Sequence, residues 1–433
     1  MDSGLSQRSQ RALGHLLPTF ATSAPPPPSQ QQQQQQQQQH VQPTIDLSRA
    51  LNEAVHPELL EFFQSTQETN VASEAFAAPA ASLNGGDPRL RHALATFFNA
   101  YFNPIHTVKP DHIVLTSGAT DAVENVVHAI CDDGDCVLAP GPHWPGFATI
   151  LKRRSNVNLI VAKPPTYSHW DNYLLPSLQA AYDFSDQRIR IKAVLLCNPN
   201  NPLSRCYPRS ALLELMEFCQ ERGLHLICDE VFGLLDLHGT DDKAPGFMSA
   251  LSLTEPLVPE GAVKVDASRV HVVWSPSKLF GLSGFRVGCL ISQQNPLLLR
   301  ATALTAAHPS TLSTSFLASL LSWSQLPTLL ALNRERLSHS YRILADALQK
   351  LNVPFIPASH GLFVFARLAK RATTEQQETH FFAALAHHGI KVAPGRSFNG
   401  VERDYGWARL RFSLPVQQMQ DLVRRLELFL HSS

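Results

Sequence analysis

The chain has 433 residues, 44% of them hydrophobic, enough to bury a large core divided among two or more domains. Lys+Arg and Asp+Glu both total 36, so the formal net charge is zero and nothing draws the chain as a whole to nucleic acid or an anionic membrane. No run of 18 apolar residues marks a membrane span, and seven Cys without CxxC spacing read as reduced thiols of a cytoplasmic protein, not a disulfide framework or a zinc site.

In chain order, residues 1–43 come first, with "SAPPPPSQ" and an unbroken glutamine run from Gln30 to Gln39. This composition buries too little apolar surface to offset its ordering entropy and is predicted to be a disordered tail. No internal repeat follows. Short apolar runs then alternate with helix-period segments. The strand candidates are "HIVLTS" (112–117), "CVLAP" (136–140), "NLIVA" (158–162), "KAVLLC" (192–197), "LHLICD" (224–229), "VHVVW" (270–274) and "RVGCLIS" (286–292). Helical patterns such as "DAVENVVHAICDD" and "PRSALLELMEFCQERG" lie between them. Strands apolar on both faces, joined by helices, predict an α/β fold with a mostly parallel seven-stranded sheet. After about Leu298, long helices precede "GLFVFARL", a helix near 374–388, "IKVAPG", "WARLRFSL" and a last helix, which predict a smaller α+β domain. The expected division is 1–43 tail, 44–80 an N-terminal segment joining the small domain, 81–300 the large domain and 301–433 the small C-terminal domain.

Ligands of open α/β sheets sit beyond the carboxyl ends of the strands. After "HIVLT" come Ser117, Gly118, Ala119 and Thr120 at a helix start, a ready anion site. After "CVLAP" comes "GPHWPGF", and after "KAVLLC" comes "NPNNPLS". "LHLIC" ends in Asp229 and Glu230, and "VHVVW" leads to Ser275, Ser277, Lys278 and then Arg286. A phosphate cradle, a flat ring, an Asn, an Asp, a Lys and an Arg at one sheet edge suit an aromatic, phosphorylated, carbonyl-bearing cofactor. Lys278 is the odd member, because an unpaired ammonium at the end of a buried strand is costly.

"NPNNPLS", "CDEVF", "SPSKLFGLSGFRVG" and "GWARLRFS" together resemble the motif set of pyridoxal 5′-phosphate (PLP) enzymes of the aspartate-aminotransferase fold. The branch they resemble holds 1-aminocyclopropane-1-carboxylate synthases and their aminotransferase-like relatives, and the resemblance runs from about Ile45 to the C-terminus. It implies that Lys278 is the Schiff-base lysine, which removes the cost of its buried charge, and that Asp229 faces the pyridine nitrogen and keeps it protonated. Asn201 would donate to the ring O3′, while Asn198 reads better as a turn residue. Ala119, Thr120, Ser275, Ser277 and Arg286 would hold the phosphate. Trp144 would stack on the ring, with His143 one place earlier as the alternative. Arg409 resembles the arginine that grips the substrate α-carboxylate, although period-two alternation puts Arg411 on the same face. Asn52 matches a position near that carboxylate. No metal is implied.

Four positions depart from the family pattern. Phe232 stands where a tyrosine is usual, which removes a phenol donor and leaves Asn201 as the main partner of O3′. Asn84 replaces a tyrosine that reaches the phosphate of the partner subunit. Ser204 replaces a turn glycine, which predicts a different loop conformation there. Leu51 replaces the glutamate with which cyclopropane-forming synthases hold their substrate. The resemblance thus implies an aminotransferase acting on an amino acid and a 2-oxo acid, as a homodimer. A PLP-dependent lyase, by C–S cleavage or cyclopropane-forming elimination, is the alternative, since it shares every motif. A PLP-sensing regulator is disfavoured because no helix-turn-helix pattern or basic footprint precedes the fold.

Overall fold

The computed structural model describes residues 6, 7, 9–11, 13, 14, 43–70, 85–238, 243–254 and 265–432. The expected tail, apart from seven of its first 14 residues and Pro43, and Asn84 lie outside them.

Thirteen strands occur in the described chain: β1 (Ile45–Asp46), β2 (Ile113–Thr116), β3 (Cys136–Pro140), β4 (Asn158–Ala162), β5 (Ile191–Cys197), β6 (His225–Asp229), β7 (Val270–Trp274), β8 (Gly288–Ile291), β9 (Phe355–Ile356), β10 (Phe363–Arg367), β11 (Ile390–Lys391), β12 (Ala393–Pro394) and β13 (Trp407–Arg411). Seven form one sheet in the order β2-β8-β7-β6-β5-β3-β4, and β8 alone runs antiparallel to its neighbours. The seven segments expected from sequence are these seven strands. Every residue of β3 and β7 is buried, as parallel strands covered by helices on both faces require.

The helix Pro88–Tyr101 shows how the sheet is covered. Asp87 accepts from the Arg89 N–H at its start, and Pro88 fits the first turn, where its missing N–H has no helical partner to lose. Its buried face brings Phe97 and Phe98 onto Trp274 at centroid distances of 5.3 and 5.7 Å. Such pairs each add about 0.5–1.5 kcal/mol beyond area burial. They fix the end of β7, four residues before Lys278.

A second sheet, β12-β13-β10-β9, belongs to the C-terminal part, and β1 pairs in parallel with β11 (Ile45 with Ile390). The residues after β1 are thereby led between the two sheets. All seven cysteines are buried free thiols. No single helix among the described residues is long and apolar enough to cross a membrane.

Candidate active site

Strand order decides which loops meet. β5, β6 and β7 are neighbours in register, with Cys197 opposite Asp229 and Asp229 opposite Val273, so the residues that follow them share one edge. There a cavity of about 220 Å³ is lined by Ala119, Thr120, Trp144, Asn201, Asp229, Phe232, Ser275, Ser277, Lys278 and Arg286, together with Ala50, Val123, Phe147, Ile150, Cys197, Val231 and Ser283. Every residue expected to touch the cofactor lines it.

The anion end is built on Gly118, which precedes the helix Ala119–Ile130 with φ +86°. That conformation suits glycine, and a Cβ there would also lie 2.5 Å from the Arg286 guanidinium. Arg286 can therefore close over the free N–H groups of the helix start, held by the Ser117 and Ser283 carbonyls at 2.9 Å each. The Ser275 and Ser277 hydroxyls are 2.8 Å apart, with Ser275 also donating to the Val287 carbonyl at 2.7 Å.

Lys278 lies in the short helix Pro276–Leu279 that follows β7, and its Nζ donates to the Ala50 carbonyl at 2.8 Å. Burial, reinforced by the positive charges of Arg409 and Arg286 and opposed by Asp229, lowers its pKa to about 8. Asp229 is pushed up to about 7 by burial, with the Val231 N–H and Lys278 opposing. The one protein hydrogen bond to its carboxylate among the described residues is the 3.3 Å contact from the Val231 N–H, so the carboxylate is left available to a cationic partner in the cavity. Glu230 turns the other way. It accepts from the Ser249 hydroxyl at 2.6 Å and the Ala250 N–H at 2.7 Å, an anchor for the segment behind the sheet.

Asn201 has its Oδ1 occupied by Arg409 Nη1 at 2.8 Å, which fixes the amide and leaves Nδ2 as a donor. Asn198 is tied to Met248 and Tyr207 main-chain groups, as a turn residue. Trp144 lines the cavity, whereas His143 is buried outside it, donating from Nδ1 to the Trp144 carbonyl at 2.9 Å and stacking on Phe147.

The alternation in β13 leaves Arg409 and Arg411 on one face, and their partners separate them. Arg411 is paired with Glu53 at 2.6 Å. Arg409 has no carboxylate among the described residues; it donates to Asn201 and to the Ser48 carbonyl at 2.6 Å, lies over the Phe363 and Phe398 rings, and has its Nε buried without a partner. Burial lowers its pKa to about 9.

One expectation fails. Asn52 does not stand open to a substrate carboxylate: its side chain is fully buried and its Nδ2 is bound to the Lys278 and Leu279 carbonyls and to Asn333. Ser204 holds φ +54°, its Oγ takes the Phe363 N–H at 3.2 Å and its carbonyl takes the Ser359 and His360 N–H groups, so these long-range bonds stabilise a conformation that a side chain disfavours. Phe232 lines the cavity as an apolar wall and packs edge-on against Phe363. The Ser48 and Ala50 carbonyls are contacts no side-chain pattern signals.

An aromatic phosphate ester with a basic ring nitrogen and an aldehyde fits this donor set: a cradle that a Cβ would fill, an available buried carboxylate, a flat indole and an amine with a depressed pKa. Comparison with known proteins agrees. The family model for aminotransferase class I and II matches residues 52–426. A probable aminotransferase of Aspergillus oryzae is 36% identical over 388 residues, 89% of this chain and 90% of its own length. Another, of Leptosphaeria maculans, is 34% identical and covers 98% of this chain and 97% of its own length. The 1-aminocyclopropane-1-carboxylate synthase of Malus domestica is 32% identical, covering 79% of this chain and 72% of its own. Among solved structures, a Thermus thermophilus aspartate aminotransferase variant superposes with a TM-score of 0.74 at 19% identity, over 98% of this chain and 99% of that one, which shows a shared fold.

Proposed function

The chain belongs to the class I and II aminotransferase family, PLP-dependent enzymes, and from that premise we propose that it is an aminotransferase that exchanges an amino group between an L-amino acid and a 2-oxo acid. The observation that carries the reading is the single cavity in which Lys278 and Asp229 converge with the anion cradle, one Asn201 away from the carboxylate-free Arg409. Bound PLP supplies an electron sink for the charge left when the substrate Cα–H ionises. Lys278 would be the attachment point, and its Nζ would be the base for the substrate Cα proton. Asp229 would face the ring nitrogen and keep it protonated. Arg409 would receive the α-carboxylate on its free Nε edge, while Asn201, fixed by Arg409, would orient the ring through O3′. Arg286, Ser277, Ser275, Thr120 and the Ala119 N–H would anchor the phosphate. Trp144, Phe147 and Phe232 keep water from the reacting face. The buried, unpaired thiols suit a cytoplasmic protein, and the family background suits a homodimer.

A second reading rests on the likeness to the Malus domestica synthase: the same proton transfer followed by elimination, as in a PLP-dependent lyase. Purified protein loaded with PLP and offered one amino acid at a time separates the two. Stoichiometric conversion of the cofactor to its amine form, with release of a 2-oxo acid and no catalytic turnover until a second 2-oxo acid is added, is expected. Sustained turnover with release of ammonia, a thiol or a cyclopropane from one substrate alone would overturn transamination in favour of the lyase.

A further inference from the structure

Lys278 and Leu279 end a helix of four residues, Pro276–Leu279, whose last carbonyls have no partner in the helix itself. Two buried amides take them. Asn52 Nδ2 lies 3.0 Å from the Lys278 carbonyl and 2.9 Å from the Leu279 carbonyl, and Asn333 Nδ2 donates to the Leu279 carbonyl at 2.9 Å. The two amides are also joined to each other, Asn52 Nδ2 to Asn333 Oδ1 at 3.1 Å, while Asn52 Oδ1 accepts the Ala54 N–H at 3.1 Å. Asn52 is 0% exposed and Asn333 2%, so water cannot replace either donor.

The segment carrying Asn52 lies directly on the lysine turn. A Cβ on Gly281 would come within 2.1 Å of the Asn52 carbonyl. Two residues before Asn52, the Ala50 carbonyl holds Lys278 Nζ. Two after it, the Ala54 carbonyl is bound by Arg336 Nη1 at 2.7 Å, from the same long helix, Leu326–Lys350, that carries Asn333. A lysine with four side-chain rotors is thus constrained at both ends by one short stretch of chain, its main chain by Asn52 and its amine by Ala50.

We propose that Asn52 and Asn333 form an amide clamp, a pair of positioning residues that fix the main chain of Lys278 so that its amine meets the cofactor aldehyde in the cavity. The proposal rests on Lys278 being the attachment point, and the test keeps the two apart. Backbone hydrogen exchange over residues 276–283 is followed in the cofactor-free full-length chain, and in parallel the rate at which added PLP is captured on Lys278, fixed by borohydride and located by peptide mass spectrometry. With at least two hydrogen bonds lost, Asn52→Ala should speed exchange of that segment about tenfold and slow capture about tenfold. Asn333→Ala, which removes one carbonyl contact, should do both more weakly and keeps the test open should the first variant not fold. Because both amides act on Leu279, the double variant should fall short of the product of the two effects. Arg336→Ala loosens the same segment elsewhere; it should lower Tm while exchange at 276–283 and capture stay native. The clamp is overturned by native exchange and capture in folded Asn52→Ala, or by Arg336→Ala reproducing both changes. Failure of the unaltered protein to capture PLP at Lys278 would remove the functional reading, and the exchange measurement would still decide the clamp.

Discussion

The two halves of the site are assembled differently. The proposed cofactor half is drawn from one sheet: Thr120 after β2, Trp144 after β3, Asn201 after β5, Asp229 at the end of β6, Lys278 after β7 and Arg286 before β8. The proposed substrate half has Arg409 from β13 of the other sheet, fixed by Asn201 from the loop after β5 and by the Ser48 carbonyl of the N-terminal segment. The first half is a property of strand order. The second depends on where three separate stretches of chain come together. Within it, Arg409 and Arg411 sharpen the contrast: two residues apart, both buried, one left without an anion and the other neutralised by Glu53.

The contrast can be broken at graded strength. Lys278→Ala should abolish covalent PLP binding, read as loss of the visible imine absorbance, and lower turnover by about 10³-fold or more, the scale of a positioned proton-transfer group. Asp229→Asn keeps the shape but not the charge, and should lower kcat by about 10²–10³-fold with PLP still attached, measured in single-turnover kinetics. In the other half, Arg409→Lys should raise KM for the amino acid about tenfold or more, since an ammonium cannot reproduce the guanidinium fork. Arg411→Lys should leave KM native and lower Tm; equal KM effects would remove the distinction between the two arginines. The pH dependence of PLP capture by the cofactor-free protein tests the cofactor half more gently. Lys278 has its pKa lowered to about 8, so the reactive neutral amine grows as pH rises and capture should climb to a midpoint near 8, not near 10.5. Smallest is Ser204→Ala, which leaves the Phe363 N–H without its partner and should cost about 1–2 kcal/mol in denaturant unfolding.

The residues that line the cavity were legible in the sequence because they follow strands recognisable from apolar runs. "VHVVW" and "LHLICD" announced β7 and β6, and with them Lys278 and Asp229. Sequence reading misplaced Asn52, because an amide near a site has the same letter whether it faces a ligand or main-chain carbonyls. It could not supply the bonds of Ser204, because the partners that stabilise φ +54° lie more than 150 residues away, at Ser359, His360 and Phe363.

By itself the sequence determined the sheet and its covering helices, and placed the lysine, carboxylate and small-residue candidates at one sheet edge, since hydrophobic period and local turn chemistry are written in neighbouring positions. Tertiary structure decided which of two arginines is paired with a carboxylate, which way Glu230 turns, and that Asn52 binds the Lys278 carbonyl. Those outcomes depend on main-chain carbonyls and counter-charges that only packing brings within 3 Å, and no pattern along the chain encodes such distances.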